Sequence, residues 1–101
     1  MAVIIRGTTP TIKYKFDTVN VSDITKAVLT LKVGDEIIIE KDKDAATIGE
    51  DSISWKLTQQ ETLNVASGAE AMLNWVLADD TRGASNKTNI IFVANHKEEV
   101  L

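Results

Sequence analysis

The chain has one imidazole, His96, and no cysteine. A metal centre needs two or more good ligands, and a Ser–His–Asp triad needs a buried, oriented histidine. His96 stands in the polar run His96-Lys97-Glu98-Glu99, where it reads as a solvated side chain. Paired carboxylates are the next chemistry to test, since two acids held about 5–9 Å apart can hydrolyse a glycoside. The pairs available are Asp42 with Asp44, Glu50 with Asp51, and Asp79 with Asp80. All three fall in loop-forming stretches beside lysine or arginine, and read as solvated turn residues. Asp42-Lys43-Asp44 begins like a calcium loop, but Ala45 and Ala46 follow where oxygen ligands are required. Neither phosphate-cradling glycine pattern is present. The sequence therefore assigns no catalytic, cofactor-binding or metal-binding residue, and the chain is expected not to be an enzyme.

Trp55 and Trp75 offer a different chemistry, stacking on a sugar ring if they are exposed. Both lie in the apolar phase of an alternating segment, which favours the core. That alternation dominates the chain. Ile12, Tyr14 and Phe16 interleave with Lys13 and Lys15, and Leu29, Leu31 and Val33 with Thr30 and Lys32. Ile53, Trp55 and Leu57 interleave with Ser54 and Lys56; Ala71, Leu73, Trp75 and Leu77 share one face of a segment from 69 to 78. A period of two marks strands with one wet and one buried face. Ile37–Ile39 and Ile90–Val93 are continuous apolar runs, expected to be covered on both faces or to lie at an interface. Val3–Arg6 completes a set of seven predicted strands.

Loops are expected at Gly7–Pro10, 17–23, Gly34-Asp35, 42–51, 66–68 and 79–83. Thr58-Gln59-Gln60-Glu61 is a capping box, which predicts a short helical turn over 58–64. The length of 101 residues suits one domain, and the strand spacing predicts an antiparallel β-sandwich. The residues from His96 onward lose the alternation and are expected to form a flexible tail or to dock on a partner. The net charge of −4 argues against nucleic acid or an anionic membrane as partner. The start carries no basic leader, so synthesis and folding in the cytoplasm are expected. The triplets Asn20-Val21-Ser22 and Asn86-Lys87-Thr88 then read as chance rather than glycosylation sites.

The order of segments resembles the immunoglobulin-like N-terminal domain of phage baseplate upper proteins and its stand-alone phage and prophage relatives. The matching pieces are Ile5–Pro10 leading into Ile12–Phe16, Ala27–Lys32, Ser54–Leu63, Gly68 before Leu73-Asn74-Trp75, and Ala78–Arg82. The resemblance implies a single immunoglobulin-like sandwich over residues 1–101 and a non-enzymatic role in a virion. It implies docking onto other virion proteins in a symmetric assembly, with no cofactor and no small-molecule substrate. Baseplate, tail tube, neck and capsid surface all stay open as locations. Docking surfaces are expected at the first strand (Val3, Ile4, Ile5, Arg6) and at the last strand and tail (Ile91, Val93, Val100, Leu101), where an open strand edge offers unpaired amides and carbonyls. The alternative is a carbohydrate-binding or adhesin-type module recognising a bacterial surface.

Overall fold

The computed structural model describes residues 2–101, and strands there form two facing sheets. They run β1 (Ala2–Ile5), β2 (Thr11–Lys15), β3 (Ile24–Val33), β4 (Glu36–Asp42), β5 (Thr47–Ile48), β6 (Ser52–Lys56), β7 (Gly68–Leu77), β8 (Arg82–Ala84) and β9 (Thr88–Val93). The larger sheet has the order β1-β9-β7-β3-β4, and the smaller is β2-β6-β5. β9 pairs with the first half of β7 and β8 with the second half. The protein is an all-β sandwich with one short helix, α1 (Gln59–Leu63).

The alternating segments are the reason. Leu29, Leu31, Ile53, Trp55 and Leu73 are each fully buried in the apolar phase of their strands, and Leu57, just past the end of β6, is buried in the same phase. Burying such side chains contributes roughly 1.5–3 kcal/mol each relative to leaving them in water. Ile12, Tyr14 and Phe16 face the same core but are only half-buried. Trp55 reaches across the sandwich. Its indole Nε1 donates to the Asp42 carbonyl at 2.8 Å, which satisfies a buried polar group and fastens the end of β4 to the opposite sheet. The capping box forms as expected: Thr58 Oγ1 accepts from the Glu61 amide, and the Glu61 carboxylate accepts from the Thr58 amide.

Several expectations are corrected. β5 and β8 add two strands to the predicted seven, within stretches expected to be loops. At two and three residues they are too short to show a period, and pairing with β6 and β7 creates them. The runs at Ile37–Ile39 and Ile90–Val93 are not covered on both faces: Ile37 is 51% and Ile91 is 39% exposed, while Ile39, Ile90 and Phe92 are buried. Val33, expected in the core phase, is exposed at the hairpin end. The sandwich is not wholly antiparallel, because β1 pairs with β9 in parallel.

Candidate functional site

β1 is the last strand of the larger sheet, and among the described residues no strand pairs with it on the side away from β9. The Arg6 amide donates to the Val93 carbonyl at 3.0 Å, so the polar groups of Arg6 face β9. Successive residues of a strand turn their amide and carbonyl to opposite sides. Val3 and Ile5 therefore point theirs toward the free edge. The Ile5 carbonyl is taken by the Thr8 hydroxyl at 2.6 Å, which leaves the Val3 amide and carbonyl and the Ile5 amide for a partner.

Side chains divide the expected docking residues into two groups. Val3 lies beside Ile91 and Ile5 beside Val93 in the parallel register, so these four share the outward face of the sheet. Val3 is 63% and Ile5 50% exposed, and Val93 is half-buried. Ile4 is a correction: it turns inward, is 8% exposed, and belongs to the core rather than to the docking face. A strand's period of two makes this unavoidable once Val3 and Ile5 face outward. Arg6 is a second correction, since it is engaged within the chain. Its guanidinium donates to the Leu63 carbonyl at the end of α1 and pairs with Glu98 at 2.8 Å.

That pair begins a clasp that holds the tail. Asn95 Nδ2 donates to the Arg6 carbonyl at 2.8 Å, and Glu98 accepts from the Asn95 amide at 3.0 Å. Further along, the Leu101 amide donates to Gln59 Oε1 at 2.6 Å. Residues 96–101 form no helix or strand, yet they are tied to β1 and α1. Val100 and Leu101 stay exposed. The hydrogen bond from Asn95, with help from the Arg6 charge, holds the Glu98 carboxyl below its ordinary range. The structure thus brings Val3, Ile5, Ile91 and Val93 together, while Leu101 is held by Gln59 of α1.

A groove of about 370 Å³ runs along the inner side of β1, where the two sheets part. Ile4 and Ile90 line it from the larger sheet, Ile12, Lys13 and Tyr14 from β2, and Pro10 from the loop before β2. Lys13 is its one charged lining residue. Burial pushes the Tyr14 phenol above its ordinary value, with a hydrogen bond to Ser85 working the other way. Sequence reasoning found the open strand β1, but the last strand is a correction: β9 lies between β1 and β7 and is paired on both sides, because pairing partners are set by the sheet order and not by position in the chain. The groove was missed because its walls come from strands far apart in the chain.

The remaining candidates for chemistry are occupied by local structure. Asp42 caps a 3-10 turn, accepting from the amides of Asp44 and Ala45. Asp79 accepts from the Thr81 amide at 3.0 Å, and hydrogen bonds from Thr81 hold its carboxyl below the ordinary range. Glu50 and Asp51 are exposed, as is His96. No cluster of three or more potential metal ligands occurs among the described residues. Trp55 is 0% exposed and has no face to offer a sugar. Trp75 is half-buried against the core, edge-on to Phe16 with ring centroids 5.1 Å apart, and its indole lies over Gly83. A Cβ at Gly83 would stand 2.5 Å from the indole, so only glycine allows β8 to pass there. No family model matches the chain, and no curated protein matches it at a significant level.

Proposed function

We propose that this chain is a non-enzymatic structural protein of a phage or phage-like particle, docking onto other particle proteins through its strand edges and loops. One observation carries the docking part of this reading. β1 is an open strand with free main-chain groups, and it bears an exposed apolar patch of Val3, Ile5 and Ile91. Proteins normally protect such an edge against pairing with another chain. An unprotected one is suited to joining a partner by adding strands or by covering the patch. The particle part rests on the resemblance to the baseplate upper protein domain.

The carbohydrate-binding alternative is less well supported, because stacking on sugar needs an open aromatic face. Trp55 offers none, and Trp75 is packed between Phe16 and Gly83.

Gradient centrifugation of particles induced from the producing cells, probed with an antibody to this chain, tests the reading. The chain is expected to sediment with intact particles and to stay with them after a salt wash. Recovery only as free protein at the top of the gradient would overturn it.

A further inference from the structure

The clasp between Arg6 and the tail has the build of a latch rather than of a permanent tie. Every residue from His96 to Leu101 is exposed, so no apolar burial holds this segment down. Two contacts tie it to the sandwich. Glu98 pairs with Arg6, and Leu101 exchanges main-chain hydrogen bonds with the Gln59 side chain, at 2.6 Å through its amide and 3.5 Å through its carbonyl. The other tail contacts are internal: Lys97 with Glu99, the Lys97 amide on Asn95, and Glu98 on the Asn95 amide. Ordering the backbone of the segment opposes the two ties through lost conformational entropy.

Arg6 is suited to both positions of the tail. Its Nη2 donates to the Leu63 carbonyl at 2.5 Å, so departure of Glu98 does not leave the guanidinium without a partner. Its Nε is buried with no partner among the described residues, and an unpaired buried donor counts against the closed position. The paired side chains are 22% and 34% exposed, which leaves their attraction open to screening by salt. We infer that residues 96–101 form an arm, latched on Arg6 and Gln59 at low salt and released as a unit when the Arg6–Glu98 pair breaks, with the sandwich and α1 left intact. Released, the arm spans about 20 Å and carries Val100 and Leu101 away from α1. This is a property of the isolated chain and holds whatever the chain joins.

Amide exchange at Leu101 in the full chain, divided by the rate for the free peptide of residues 95–101 at the same salt, reads the open fraction. Nitrogen-15 relaxation across the tail reads its mobility. Raising sodium chloride from about 0.01 M to about 1 M shortens the screening length from about 30 Å to 3 Å. The open fraction should rise about two- to fivefold, the worth of one part-exposed ion pair. Glu98→Lys sets two cations against each other, and its tail at low salt should be at least as mobile as the native tail at high salt. The amides of Thr62, β3 and β7 should keep their rates throughout.

The salt series uses the native chain, so it decides the matter even if Glu98→Lys folds poorly. Three results would overturn the latch: a native tail indifferent to salt, a tail that stays ordered in folded Glu98→Lys, or an opening that takes the Thr62 and β1 amides with it. The last would make the tail a part of the sandwich.

Discussion

The two edges of the larger sheet are built to opposite ends. β4, at one edge, carries Glu36, Glu40, Lys41 and Asp42, and a register shift against β3 leaves Ile38 unpaired. It is also fastened down. Trp55 donates to the Asp42 carbonyl across the sandwich, Lys41 pairs with Glu61 of α1 at 3.0 Å, and Lys43 Nζ donates to the Ile24 carbonyl at 2.6 Å. Charges, irregular pairing and tethers are the devices by which proteins keep an edge from recruiting another chain. β1, at the other edge, is Ala2-Val3-Ile4-Ile5, with no charge, no proline and no shift in its register against β9. The smaller sheet follows the protected pattern: β5 has two residues, and β2 carries Lys13 and Lys15. Exposed apolar side chains occur on β1, β4 and β5 alike, Ile37 and Ile48 included; what is particular to β1 is an edge without charge, irregular pairing or tethers.

Four substitutions sharpen or break this contrast. Trp55→Ala should have the largest effect, destabilising by about 3–5 kcal/mol in urea denaturation, because it empties a fully buried site. It also cuts the tether on β4, so amide exchange at Glu40–Asp42 should rise more than at Val3 and Ile5. Equal changes at both edges would break the comparison.

Thr62→Val comes next. Thr62 is fully buried and its hydroxyl holds the middle of the connection from β1 to β2, accepting from the Gly7 amide at 2.9 Å and donating to the Thr8 carbonyl at 2.8 Å. Gly7 has φ +83, a conformation that glycine adopts without strain. Leaving these groups unpaired should cost about 1–3 kcal/mol by the same measurement. A smaller loss would mean that the connection is held elsewhere.

Glu98→Gln acts on the clasp between Arg6 and the tail. The folded-state pKa of Glu98 is lowered, so its contribution is present above the ordinary carboxylate range and is lost as pH falls through the lowered value. In the native chain, NMR signals of Asn95 should move in acid with a midpoint below that of a free glutamate. Glu98→Gln should abolish that titration while leaving the sandwich folded. The smallest effect belongs to Val3→Thr, which should change stability by no more than about 0.5 kcal/mol, because that side chain packs on nothing essential. A large loss there would show that β1 serves the core rather than a partner.

Much of the fold was legible because the strands that matter most are also the most regular. The phase of Ile53, Trp55 and Leu57 alone places three buried side chains, and the Thr58–Glu61 spacing alone places α1. Local signals do not reach what long-range pairing creates. Nothing in Thr47-Ile48 or Arg82-Gly83-Ala84 marks a strand until β6 and β7 lie alongside. The parallel pairing of β1 with β9 joins residues nearly ninety positions apart, and the side chain of Arg6 reads as available until Glu98 and Leu63 meet it. The candidate site was half visible: the apolar first strand could be read as an edge, but the inward turn of Ile4 and the groove beside it depend on the second sheet.

The central claim is that β1 is open in the free chain and covered in its working state. Hydrogen–deuterium exchange of the segment containing Val3 and Ile5, read in the free protein and again within purified particles, tests it most directly. The account predicts rapid exchange in the free protein and strong protection in the particle, with Glu36–Asp42 changing little. Protection of β1 in the free protein, or unchanged rapid exchange in the particle, would contradict it.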